Sequence, residues 1–294
     1  MATVYLVDAS PYIFRSFFSL PETITDPTGR SVAAVYGFAG FLIRLLQEEA
    51  PTHLAIAFDG SLTTSFRNEI YPDYKANREL PTPELEAQLD DCRELAAAFG
   101  ATTFIDRRFE ADDLIATLCH GMVAAGHRVV VVSSDKDLGQ LVGDRVTLFD
   151  FARGERLGTE EVQRKFGVRP RQIADFLGLA GDPVDNIPGI RGVGKKTAVA
   201  LLSEFADLEA LYEGLERVAE LPLRGARSVA KRLEAGRQEA FLSRRLARLS
   251  RDAPATARVE DLALHGADRE TVARLFGRLG FRGLIERVER WAPG

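Results

Sequence analysis

Short apolar runs alternate with longer amphipathic stretches through the first half of this chain, and the strand-like runs stop near its middle. Residues 4–7, 54–58 and 128–133 are brief, rich in Val and Ile, and flanked by helical patterns; the last holds four consecutive valines. Runs of this kind read as buried parallel strands. Weaker runs at 101–105 and 146–149 add two more. Helical periodicity is clear over 32–49, where Val35, Phe38, Ala39, Leu42, Leu45 and Leu46 share a face. It recurs over 82–99, with Pro81 and Pro83 near a start that tolerates proline, and over 110–125 and 136–142. Strands alternating with helices predict an α/β fold, a central and mostly parallel sheet flanked by helices.

Beyond about residue 158 the pattern becomes all-helical, over 159–166, 171–179, 195–205 and 208–212, followed by Arg-rich helices. Thr159 with Glu160, Glu161 and Gln163 is a helix start. The chain therefore divides into an α/β core, residues 1–158, and a helical part, residues 159–294. Residues 61–83 have weak periodicity, carry Arg67, Lys75 and Arg78, and are long for a mere connection, which marks them as functional.

The sharpest chemical pattern is where the acids fall. The first strand ends YLVD at Asp8, the second AIAFD at Asp59, and the third runs into SSDKD with Asp135 and Asp137. In a parallel sheet these ends share one edge, where ligands usually bind. EADD places Glu110, Asp112 and Asp113 at a helix start, where the positive helix end tolerates acids. GDPVDN adds Asp182 and Asp185 before a glycine-rich turn. Taken singly, each is an ordinary turn residue or cap. Together, nine carboxylates on one edge repel unless cations neutralise them. With neither His nor Cys beside them, the donors suit hard ions, Mg²⁺ or Mn²⁺. Two such ions are the usual apparatus of phosphodiester hydrolysis.

The segment NIPGIRGVGKKT sets Gly192 and Gly194 before Lys195 and Lys196 and a helical run. Backbone N–H groups of such a turn bind phosphate, helped by the helix dipole. A P-loop is the competing reading of Gly189 to Lys195, but Lys196 replaces the required Ser or Thr and no strand precedes it.

In this order YLVDAS, AVYGF, AFDG, SFRNEIYPDYKANR, EADDLIATL, SSDKDLGQL and GDPVDNIPGIRGVGKKTA resemble the 5′ nuclease family of exonucleases and flap endonucleases over about residues 3–290. The resemblance implies a PIN-like sheet, a helical arch at about 61–83 and a helix-three-turn-helix element of the helix-hairpin-helix type at about 181–205. It implies a first metal group of Asp8, Asp59, Glu110 and Asp112, and a second of Asp182 and Asp185. Asp135 and Asp137 fall beside or between the metals, and Asp113 stands behind them. Asp8 and Asp59 carry the catalysis with Lys75 and Arg78, which match the arch base together with Tyr74, itself read as a DNA contact. There cations meet the scissile phosphate, and they are placed to offset charge in the transition state. Arg67 is a further phosphate contact. Tyr36 either stacks on a terminal base or belongs to the core. Gly192 and Gly194 would hold the duplex backbone, with K⁺ at that turn. Ala9 stands where the family often has Gly.

The implied activity is a Mg²⁺-dependent 5′-3′ exonuclease or 5′-flap endonuclease that acts in DNA replication or repair and leaves 5′-phosphate and 3′-hydroxyl ends. Its partners are DNA with a 5′ flap or a 5′ end at a junction, and RNA–DNA hybrids. Two rivals remain: a non-catalytic DNA-junction binder, and a PIN-type RNase, which is usually shorter and lacks the GVGKK element. Charge enters last. The net charge of −5 speaks against a nucleic-acid partner, yet residues 1–149 hold 12 basic and 21 acidic side chains while residues 150–294 hold 26 and 22. Seven of the nine candidate ligands lie in the acidic half, so the deficit marks a site and the basic half is where a duplex is expected. Cys92 and Cys119 form no metal or disulfide pattern. With neither a leader nor a membrane span in view, the expectation is a cytoplasmic monomer without membrane contact.

Overall fold

The computed structural model describes residues 1–61, 63–79 and 81–292. Its α/β part runs β1 (Thr3–Asp8), α1 (Ser10–Ser19), α2 (Ala33–Glu49), β2 (His53–Asp59), α3 (Phe66–Ile70), α4 (Pro83–Ala98), β3 (Thr102–Asp106), α5 (Ala111–Ala124), β4 (Arg128–Val132), β5 (Val146–Asp150) and β6 (Glu155–Leu157). The six strands lie in the order β3-β2-β1-β4-β5-β6, parallel except for the last pair. Leu6 is in register with Ala55 on one side and Val131 on the other. Chain direction across the sheet reverses at β1, so the crevice beside the ends of β1 and β4 is the natural ligand position.

Side chains alternate between two buried layers, as a strand covered on both faces requires. Leu6, Ala55 and Val131 face one layer with α5, and Val7, Ile56 and Val132 face the other with α2 and α4. The helical part, α6 (Thr159–Phe166), α7 (Ile173–Ala180), α8 (Lys195–Glu204), α9 (Leu208–Glu213), α10 (Leu215–Val218), α11 (Ala226–Ala235) and α12 (Arg237–Ala247), builds onto the α5 layer. The loop from α7 folds back on itself at Gly189, whose φ is +60° and where an added Cβ would lie 2.2 Å from the Gly181 nitrogen.

Several elements depart from the pattern read along the chain. Residues 136–142 form a 3-10 turn (Asp137–Leu141), and α1 and β6 are additional. Among its described residues the segment at 61–83 holds one helix ahead of α4, the five-residue α3. Pro72 ends it, because the residue before proline disfavours helix. Leu62 and Leu80 of that segment lie outside the described residues. The chain beyond Leu264 does not join the helical part. Helix α13 (Arg269–Leu279) buries Val272, Leu275, Phe276 and Leu279 in the layer of α2 and α4, with Phe99 and Phe276 rings 6.2 Å apart. Leu264 N–H donates to Thr52 O at 2.8 Å. Each such side chain contributes about 1.5–3 kcal/mol by its burial. Periodicity marks the apolar face of α13 but cannot say which surface it meets. Among the described residues no helix is long and apolar enough to cross a membrane.

Candidate active site

Asp8 and Asp59 end adjacent strands and are fixed by the groups that follow them. Asp8 accepts from Ser133 Oγ at 2.8 Å and from Ser10 N–H at 3.2 Å. Asp59 accepts from Ser10 Oγ at 2.6 Å and from the N–H of Ala111, the first residue of α5, at 2.9 Å. The positive end of α5 therefore docks on Asp59, which brings Glu110 and Asp112 to the edge. Ala9 has φ −73°, open to any residue, so its departure from glycine costs nothing. After β4 the chain turns on its own side chains: Asp135 N–H donates to Ser133 Oγ at 2.9 Å, and Asp137 N–H to Asp135 Oδ1 at 2.8 Å. Ser10 and Ser133, which sequence reasoning missed, are visible in hindsight in VDAS and SSDKD.

Burial, then repulsion from Asp59, raises the Asp8 carboxyl to about 8. Burial, then Asp135, raises Asp137 to about 8, with Asp185 and Asp182 adding to the push. Burial, then Asp135, Asp8 and Asp59, holds Asp112 well above the carboxylate range. Asp135 is raised by burial as well, against the opposing Asp137 N–H, with Asp185 pushing further upward. Mutual upward shifts show that these acids share one desolvated space short of positive charge. Asp137 Oδ1 is buried without a partner. Among the described residues no three of the acids close into a finished ligand cage, and lysines pair with several of them. Lys75 Nζ lies 2.5 Å from Glu110 and 3.9 Å from Asp185, and Lys136 Nζ lies 2.6 Å from Asp182. Burial pushes Glu110 up, but Lys75 and Arg67 outweigh it and hold it below its ordinary value. An oxygen-only donor set with an orphaned buried oxygen fits hard divalent cations.

The arch base is stapled to the Asp182–Asp185 loop. Lys75 N–H donates to Asp185 O at 3.0 Å, and Arg78 pairs with Asp185 at 2.5 Å. The side-chain amide of Asn186 donates to Asp73 O at 2.6 Å and that of Asn77 to Pro183 O at 2.8 Å. Lys75 and Asn186 both have left-handed backbone, φ +57° and +54°, strain of about 1–3 kcal/mol each that clusters at functional sites.

Three expectations need correction. Arg67 is 2% exposed and faces inward. It donates to Asp113 Oδ2 at 2.7 Å and Oδ1 at 2.8 Å, to Glu110 at 3.0 Å, and to the carbonyls of Leu246 and Arg248 at 2.7 and 3.1 Å. With its donors used it has none for a phosphate. Asp113 is fully buried, both oxygens on Arg67, with Ser250 N–H adding a bond at 2.8 Å, so it offers nothing to a metal. Tyr74 is buried, and its hydroxyl lies 3.1 Å from Glu110 and 3.3 Å from Asp185. It orients acids and presents no face to nucleic acid.

The segment at about 181–205, where a helix-hairpin-helix element is expected, is the loop after α7 followed by α8. Asp182 and Ile187 exchange backbone bonds at 2.9 and 2.8 Å. Gly192 has φ +82° and lies against Arg232, which donates to its carbonyl at 3.0 Å. Gly194 caps α8 without a side chain, and Lys195 and Lys196 are exposed on its first turn. A cavity of about 400 Å³ runs from Lys195 and Lys196 past Lys165 to Lys136 and Asp182, and joins the turn to the carboxylate edge. Tyr36 is on the surface, edge-on to Phe281 at 5.2 Å between centroids.

Residues 3–167 match the 5′-3′ exonuclease N-terminal resolvase-like domain, and residues 168–270 match the C-terminal SAM fold of the same enzymes. The chain belongs to the 5′-3′ exonuclease family. DNA polymerase I of Mycobacterium tuberculosis is 42% identical over 291 residues, covering 97% of this chain and 31% of that protein. DNA polymerase I of Bacillus caldotenax is 40% identical over 288 residues, covering 97% and 32%. The chain thus spans about a third of the length of the curated relatives it matches. Zinc-bound T5 5′-exonuclease superposes with a TM-score of 0.69 at 21% identity, covering 97% of this chain and 99% of that one. The catalytic core of Rad2 in complex with DNA substrate superposes at 0.63 and 16%, covering 98% and 90%. These likenesses establish the 5′-3′ exonuclease fold, including its C-terminal helical part.

Proposed function

We propose that this member of the family is a structure-specific 5′ nuclease that hydrolyses DNA phosphodiesters at a 5′ end or flap junction. The observation that carries the reading is the oxygen-only cluster, desolvated and mutually repelling, facing Lys75 and Arg78 across the arch base. Asp8, Asp59, Glu110 and Asp112 would hold one divalent ion and Asp182 and Asp185 a second, with Asp135 and Asp137 beside or between the two. Bound Mg²⁺, or Mn²⁺ in its place, would supply activation of the attacking water and stabilisation of the leaving 3′ oxygen. The exposed turn at Gly192, Gly194, Lys195 and Lys196 grips the duplex backbone, where K⁺ would bind, and Tyr36 stacks on a terminal base. Lys75 and Arg78 neutralise Glu110 and Asp185 until a phosphate competes for them, so their charge is available where the transition state needs it.

Lys75→Ala is accordingly expected to lower single-turnover cleavage by about 10²–10³-fold while substrate affinity changes little. A large loss of binding with an unchanged single-turnover rate would contradict that role. Substrate choice separates the rivals. The chain should cleave 5′-flap DNA in Mg²⁺ and leave single-stranded RNA intact. Cleavage of the RNA alone would favour a PIN-type RNase, and tight junction binding without cleavage would favour a binding module.

A further inference from the structure

A cavity of about 810 Å³ opens away from the carboxylate edge. It lies between α3, the end of α12 and the 3-10 turn Pro170–Gln172, and four of its arginines, Arg171, Arg245, Arg248 and Arg251, are exposed. Among the described residues none of these four has an acidic partner, whereas Arg244 on the same helix is held by Asp175 at 3.0 Å and by Glu209. Asp252 is the only acid on the wall, and the half-buried rings of Phe66 and Phe241 lie among the arginines.

Unpaired guanidinium groups around aromatic rings are what a single nucleic-acid strand needs, with forked donors for its phosphates and π faces for its bases. The groove also shares two walls with the carboxylate edge. The 3-10 turn that begins at Asp137 ends in Gln140 and Leu141, which line the groove. Phe66 precedes Arg67, whose guanidinium holds Glu110 on one side and the Arg248 carbonyl on the other. Both connections run from the carboxylate edge, at Asp137 and at Glu110, to the groove.

The geometry points to the groove as the binding site for the single-stranded 5′ arm of the substrate, distinct from the duplex grip at the α8 turn. That the strand is a 5′ arm rests on the nuclease reading above. The test replaces Arg171, Arg245, Arg248 and Arg251 by alanine and measures fluorescence anisotropy in EDTA. Two DNA probes are compared: a junction with an oligothymidine arm of about a dozen nucleotides, and the same junction without an arm. The variant should bind the armed probe about tenfold or more weakly, with a salt dependence reduced by about 0.7 per lost contact, and bind the armless probe like the parent chain. Retained armless binding also shows that the variant is folded. Equal loss on both probes would overturn the proposal in favour of a duplex contact. No loss on either would overturn it in favour of another occupant such as an acidic peptide. If the parent chain fails to cleave in Mg²⁺, the nuclease reading fails, while the anisotropy comparison still decides whether the groove holds a single strand.

Discussion

Asp135→Ala and Asp182→Ala should each abolish cleavage of a 5′-flap substrate while leaving duplex binding intact. Asp135 lies between the two groups of acids: its charge pushes on Asp8, Asp112 and Asp137, and Asp185 pushes on it. Losing one ligand of a divalent ion removes several kcal/mol of transition-state stabilisation, or about three orders of magnitude in rate. Duplex affinity should hold or rise slightly, because the substitution deletes a negative charge near phosphate. Normal Mg²⁺-dependent rates from both variants would sink the ligand assignment.

Arg67→Ala should be the most destabilising single change at the arch. The side chain is buried and ties α3 to Asp113, to Glu110 at the start of α5, and to two carbonyls at the end of α12. Its removal strands a fully buried Asp113 charge, a class of change that costs about 3–5 kcal/mol. Lysine should recover only part of this, since one ammonium cannot reproduce a planar fork spread over two carboxylates and two carbonyls. Urea denaturation measures the loss. A change below about 1 kcal/mol would mean that the network is dispensable. Cleavage should fall too, because Glu110 loses one of the two cations that hold it.

The sheet was legible because its main strands are short aliphatic runs; β1 and β2 end in an acid and β4 runs into one three residues on, which exposed Asp8, Asp59 and Asp135. The α5 start was legible because acids in a first helical turn answer the helix dipole. What stayed hidden were facts of long-range packing. Arg67 and Lys75 are both cations in one segment, yet Arg67 turns inward to Asp113 and Lys75 outward to Glu110, and no spacing rule separates them. Asp113 lies one residue from Asp112, but the helical twist points it at Arg67 instead of the edge. The return of α13 to the layer of α2 and α4 depends on a surface that the periodicity of its own sequence does not name. Lys136 sits in plain view inside SSDKD, but its pairing with Asp182 across the loop needed the fold.

The most direct test of the central claim, that the carboxylate edge works by holding divalent ions, is 5′-flap cleavage by the purified chain as a function of metal. Cleavage should be absent in EDTA, return on addition of Mg²⁺, and give products with 5′-phosphate and 3′-hydroxyl ends. Cleavage that continues undiminished in EDTA would contradict that claim.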